Sequence, residues 1–355
     1  MRKRLAFVIF FAFFTAEATQ QSVGQARLST DTLSVSVDRV NVVFAVLNPK
    51  GKLIRNLGRN DFTVFEDDQI QTISNFSSET NLRLSLAFLI DSSGSIRDKF
   101  RFERQAAIDF FYSTLRSPGD KALLMSFDSS LALLADYTGN PGVLSDAMKK
   151  VIPGGSTSLY DAVLDAAADR LADQPGRRVI VVLSDGMDNS SHVSLSRVLD
   201  AAQRTDVVIY TVSTNAIDGV DAEDQRGGDA VLARLAEETG GSALFPNGTR
   251  DLARAFSRIN EELRSQYSLA YRPTNARRDG TYRAIRIVPV HKGYTVRCRS
   301  GYYAPDAPTH RAGNKPANPV LPGHRRQRHL NRWPERGVRA WFPPQHARRD
   351  RQREE

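Results

Sequence analysis

Between Leu84 and Leu263 the chain alternates short, nearly unbroken apolar runs with stretches of helical period. The runs are LSLAFLID (84–91), KALLMSFD (121–128), LALLADY (131–137), RVIVVLSD (178–185), DVVIYTVST (206–214) and GSALF (241–245). Several are close to continuous Val, Ile and Leu, the pattern of strands covered on both faces. Between them Phe100, Ala107, Phe111 and Leu115 share one face of a helix over 97–116, and Leu159, Val163, Ala167 and Leu171 recur every four residues over 158–172. Further helices are predicted near 142–150, 194–204, 229–239 and 249–265. Such alternation predicts a doubly wound α/β domain around a mostly parallel sheet. Only two residues separate KALLMSFD from LALLADY, which allows a hairpin, so one antiparallel edge strand is expected.

The flanks read differently. TLSVSV within 32–48 alternates, Pro49-Lys50-Gly51-Lys52 reads as a turn, and DFTVFEDDQIQTISNF (61–76) alternates around Asp67-Asp68. On the far side YSLAYRP (267–273), TYRAIRIVPV (281–290) and YTVRCRSGYYA (294–304) read as three strands. Each flank alone offers too few strands for a stable sheet in water. Residues 28–78 and 267–304 are therefore expected to form one small sandwich-like β module beside the α/β domain of 84–266.

Hydrophobic residues at 41% and charged residues at 25% exclude a wholly disordered chain, a coiled coil and a collagen-like fibre. The net charge of +9 sits at the ends: residues 306–355 hold 12 basic and 5 acidic residues, whereas 19–305 hold 34 of each. A neutral body gives no reason to expect nucleic acid as partner. Arg2-Lys3-Arg4, the apolar run Leu5–Phe14 and Ala16-Glu17-Ala18 have the order of a secretory signal peptide over 1–18. The competing reading is an uncleaved anchor. No later apolar run is long enough to span a membrane. The expected location is thus outside the cell or in the envelope. From about Pro305 the chain is rich in Pro, Arg, Gln, His and Asn without a period, so 305–355 reads as a disordered basic tail.

A single cysteine, Cys298, allows no internal disulfide and no Cys-rich zinc site; it reads as a strand residue. His192 and His291 are alone in the body. In an open parallel sheet, ligands bind at the carboxyl ends of the strands. LSLAFLI ends in Asp91-Ser92-Ser93-Gly94-Ser95 and RVIVVLS in Asp185-Gly186, while Gly154 to Ala162 (GGSTSLYDA) forms a loop that opens a helix. Two carboxylates with hydroxyls, and no nitrogen or sulfur donor, suit a hard divalent cation: Mg²⁺ first, with Mn²⁺ or Ca²⁺ as substitutes. Taken singly, Asp91 and Ser95 read equally well as helix caps and Asp185-Gly186 as a turn. Tyr160 and Asp161 read as helix residues supporting the loop, and Asp188 and Asn189 as candidates for its rim.

These motifs resemble the metal-ion-dependent adhesion site of the von Willebrand factor type A domain. Asp91-x-Ser93-x-Ser95 is similar to its DxSxS motif, Thr157 to its middle-loop threonine and Asp185 to its second aspartate. The resemblance covers roughly 84–266, and the flanks resemble those of an exported bacterial, often acidobacterial, subfamily. It implies a metal site made of Asp91, Ser93, Ser95, Thr157 and Asp185. Some of those carboxylates would act through water, leaving one position for an Asp or Glu of a protein or peptide partner. It implies a non-enzymatic adhesion module. The alternatives are an envelope protein whose metal is purely structural, and a metal-assisted hydrolase. Against the hydrolase, the chain has no GxSxG, HExxH or Walker A motif and no evident general base.

Overall fold

The computed structural model describes residues 39–78, 83–94, 100–215 and 222–307. Residues 1–18, read above as a signal peptide, residues 28–38 of the N-terminal flank, Ser95 and the basic segment from 308 lie outside the described residues.

The apolar runs form one six-stranded sheet. Its strands are β5 (Leu84–Asp91), β6 (Lys121–Phe127), β7 (Leu131–Thr138), β8 (Arg177–Ser184), β9 (Val207–Ser213) and β10 (Ala243–Leu244), in the order β10-β9-β8-β5-β6-β7. All neighbours are parallel except β6 and β7, so the hairpin makes the one antiparallel edge of this sheet. Every residue of β5 is buried. Leu84, Leu86, Phe88 and Ile90 face one side, with α1 (Phe100–Thr114), α2 (Pro141–Met148) and α6 (Thr249–Leu263). Ala87 and Leu89 face the other, with α3 (Leu159–Leu164), α4 (Leu195–Arg204) and α5 (Ala222–Thr239). The alternation of the strand thus distributes its side chains between two cores, each closed by amphipathic helices.

Two helices depart from the sequence pattern. The helix expected over 158–172 passes from α3 into a π-helical turn at Asp165–Arg170, where Leu171 N–H reaches the Ala166 carbonyl at 2.9 Å. The helix expected at 229–239 begins at Ala222 instead. Its first turns, AEDQRGG, carry no apolar period because they pack through backbone: a Cβ on Gly228 would lie 2.1 Å from the Asp185 carbonyl oxygen.

The flanks pair across the α/β segment. β1 (Val40–Leu47) lies between β11 (Tyr267–Tyr271) and β13 (Thr295–Cys298), with β4 (Ile73–Ser77) on the outer side of β11. In a second sheet β12 (Tyr282–Pro289) lies between β2 (Phe62–Glu66) and β14 (Gly301–Tyr303), with β3 (Gln69–Gln71) outside β2. Both sheets contribute to one apolar core, where Phe44, Phe62, Phe76 and Tyr267 pack with ring centroids 5.0–5.8 Å apart. Glu66 is buried in it. Its Oε2 accepts from the hydroxyls of Tyr271 (2.8 Å) and Tyr302 (2.9 Å), and its Oε1 lies 3.5 Å from Arg283 Nη1, so the buried charge is paired. The three strand-like runs of 267–304 become four strands. YTVRCRSGYYA breaks after Cys298, and its halves join different sheets. DFTVFEDDQIQTISNF likewise divides into three strands, turning at Asp67 and Asp68, which both have positive φ.

Candidate functional site

The sheet order reverses between β5 and β8, which leave their shared boundary in opposite directions. The crevice of a doubly wound sheet opens at that point, beyond the carboxyl ends of the strands. Ile90 pairs with Leu183, so Asp91 and Ser184 end the two strands side by side and Asp185 follows.

Asp91 is 1% exposed. Its Oδ1 accepts from Ser93 N–H at 2.9 Å and its Oδ2 from Ser184 Oγ at 2.6 Å, while Ser184 Oγ accepts in turn from Gly186 N–H at 3.0 Å. This is a local turn around the carboxylate. Burial, and then the negative charge of Asp185, push the Asp91 carboxyl up to about 7, against the hydrogen bonds from Ser184 and Ser93. Asp185 is buried too, and its Oδ1 accepts from Met187 N–H at 2.9 Å. Its carbonyl is held by Asn215 Nδ2 at 2.9 Å. Asn215 is fixed by Asp229 of α5 at 2.7 Å, and Asp229 also accepts from Ser213 Oγ at 2.7 Å.

The third strand of the site is the loop before α3. Gly154 N–H donates to the Ser92 carbonyl at 2.7 Å and Gly94 N–H to the Gly155 carbonyl at 3.1 Å, which places this loop against the turn after β5. Gly155 has φ of +87°, the left-handed region that favours glycine. Thr157 is buried. Its N–H donates to Asn189 Oδ1 at 2.8 Å, and its carbonyl accepts from the N–H groups of Asn189 and Ser190 at 3.1 and 3.0 Å. Asp188 accepts from Tyr160 N–H (3.2 Å) and Ser191 Oγ (2.6 Å), and Asp161 lies 2.8 Å from His192 Nδ1. The MDNSSH segment (187–192) is therefore a clamp on the Thr157 loop.

Asp91, Ser93 and Asp185 stand at the ends of neighbouring strands, the Thr157 loop is hydrogen-bonded to the turn after β5, and all four residues are buried; Ser95 is outside the described residues. Sequence reading missed Ser184, Asn215 and Asp229. The first two stand at strand ends, beside or level with Asp185, where such partners belong. Nothing in the sequence marks Asp229. Among the described residues no three His, Cys, Asp or Glu side chains gather in a cluster fit for a metal. What gathers here is two carboxylates and hydroxyls, an all-oxygen set. The set fits a cation on one physical ground. The charged group acting on buried Asp91 is another carboxylate, so a positive charge there relieves both desolvation and repulsion.

Fold and crevice together define an α/β nucleotide-fold-like domain with an acidic, hydroxyl-lined site at its switch point. Residues 86–187 match the family model of the von Willebrand factor type A domain, and the chain carries a domain of that kind. No curated protein matches the chain. Among solved structures it is similar to the PilB minor pilin from Streptococcus sanguinis (14% identity, TM-score 0.41, 52% of this chain and 62% of the pilin). It is similar also to the vWF domain of the type V pili tip protein Mfa5 from Porphyromonas gingivalis (13%, TM-score 0.43, 51% and 94%). A third is proximal thread matrix protein 1 from the mussel byssus with a zinc-occupied MIDAS motif (17%, TM-score 0.44, 56% and 49%). The chain thus spans less than two thirds of the pilin and of the byssus protein.

Proposed function

We propose that the protein is an exported, non-enzymatic binding module whose crevice grips an acidic side chain of a protein or peptide partner through a divalent cation. The observation that carries this reading is the buried, like-charged pair Asp91 and Asp185, ringed by Ser93 and Thr157 at the switch point. These four, with Ser95, would hold the metal, Mg²⁺ by preference for hard oxygen donors, with Mn²⁺ or Ca²⁺ in its place. The bound cation would supply an electrophile for a partner carboxylate. The chain's own residues do the rest. Ser184 and the Ser93 N–H occupy both oxygens of Asp91 and fix its orientation. Met187 N–H and Asn215 fix Asp185 from its side chain and its carbonyl. The 187–192 clamp holds the Thr157 loop at the rim.

Selection of random peptides displayed against the full chain in Mg²⁺ tests the reading. Selected peptides should carry an Asp or Glu whose change to Asn or Gln abolishes binding, and EDTA should release them. Binders indifferent to both EDTA and the carboxylate would contradict it.

A further inference from the structure

The chain's body is neutral, yet its arginines are unevenly placed. A groove of about 250 Å³ lies between the end of α4, the β11–β12 connection and the segment leading from β13 through β14. Arg39, Arg204, Arg272, Arg277 and Arg278 line it together with Arg283 and Arg299, and Asp206 is the acidic residue in that lining. The acids nearby are engaged: Asp200, one turn before Arg204, accepts from the Tyr303 hydroxyl at 2.5 Å. Asp206 pairs with Arg299, whose Nη2 also donates to the Asn41 carbonyl at 2.8 Å. Glu66 is held by Arg283 and two tyrosines.

Other guanidinium groups are left over. Among the described residues, neither Arg204 nor Arg272 has an ion-pair partner. Arg204 lies 3.9 Å from the centroid of the Tyr303 ring. Stacking uses the face of a guanidinium and leaves its in-plane N–H donors for a planar acceptor. Arg283 Nε and Arg299 Nε are buried without a hydrogen-bond partner. A second cavity of about 400 Å³ shares Asn41, Gln203, Asp206 and Arg299 with the groove and extends it to Arg177 and Arg178. Burial, and Arg178 nearby, draw Arg299 down to about 10 against the opposing effect of Tyr302. Cations gathered in a partly desolvated groove repel one another, and a bound anion removes that cost. The chain's own tail is the wrong sign for the role, with 12 basic and 4 acidic residues over 308–355.

We propose that this groove binds a small molecule bearing carboxylate or phosphate groups, held by the guanidinium forks of Arg204, Arg272 and Arg277. Bidentate guanidinium recognition suits both chemistries. The groove adjoins Val40, Gln203 and Asp206, at the amino-terminal end of β9. The acidic crevice opens at the carboxyl ends of the strands, so the two sites are separate and the anion site stands without the metal.

Calorimetry on the full chain tests this, with inorganic pyrophosphate and citrate as probes, at fixed ionic strength and without divalent cations, which both probes chelate. At least one probe should bind with Kd below about 100 µM. The double variant Arg204→Gln/Arg272→Gln should weaken binding about tenfold or more, as should Arg277→Glu alone, each with unchanged melting temperature. Arg101→Gln, exposed on α1, should bind as wild type. Pyrophosphate binding alone assigns a phosphate ligand, and citrate binding alone a polycarboxylate. No binding of either probe, or equal affinity in wild type and the double variant, would overturn the proposal.

Discussion

Asp91 is held where burial and Asp185 both favour the neutral acid, and its carboxyl is pushed up to about 7 from 3.8. The sign of the consequence follows. Between those two values the folded chain binds a proton that the unfolded chain has released, so the metal-free protein loses stability as pH rises from about 4 to about 7. The loss amounts to on the order of 4 kcal/mol at most. Asp91→Asn, which cannot ionise, should flatten that part of the profile. Thermal melts in EDTA from pH 4 to 8 check this, and parallel profiles for wild type and variant would show that Asp91 does not carry the effect. Because a cation must displace the same proton, metal affinity should rise with pH up to about 7 and then level off.

At the scale of elements, the exit from β8 and the start of α5 meet backbone to backbone. Gly186 has φ of +80°, and a Cβ there would lie 2.3 Å from the Gly228 carbonyl oxygen. Gly228→Ala should push α5 away from Asp185, costing about 1–3 kcal/mol of stability. Metal affinity should fall with it, although Gly228 offers no ligand. Chemical denaturation with metal titration reads both, and a variant with wild-type values would show that the contact is not held tightly. This contact also marks where sequence reading stopped. β5, β8 and β9 were legible because continuous Val, Ile and Leu leave a buried strand as the simplest reading. Asp91, Ser93, Thr157 and Asp185 were legible because strand ends and a glycine-rich loop fix their place. The first turns of α5 were not, since a helix packed by glycine backbone has no apolar period. The break of 294–304 into two strands was hidden as well. Arg299 and Ser300 interrupt no hydrophobic pattern, and the two halves find different partners: β13 pairs with β1 from the far N-terminal flank, whereas β14 pairs with nearby β12.

At the scale of the whole molecule, the α/β segment is inserted in a β structure made from both flanks. Val42 pairs with Leu269 and Val64 with Ile287, so strands remote in sequence share a core. We propose that this structure is one folding unit. Removing 267–355 would take four strands from the two sheets and leave Val42, Phe44, Phe62 and Val64 uncovered. Limited proteolysis of that truncated chain should then cut within 40–77, where the full chain resists. Continued protection of 40–77 would show that the N-terminal flank holds its structure alone. Ser300 N–H donates to the Glu238 carbonyl at 3.2 Å, and Arg297 pairs with Glu262 at 2.7 Å, so the β structure also braces the ends of α5 and α6.

The central claim is that Asp91, Ser93, Thr157 and Asp185 form a cation site. Calorimetric titration of the full chain with Mn²⁺ at pH 7.5 tests it most directly, beside Asp91→Ala and Asp185→Ala with their folds checked by circular dichroism. The account predicts one site per chain in the wild type and none in either folded variant. Equal stoichiometry and affinity in all three proteins would contradict it.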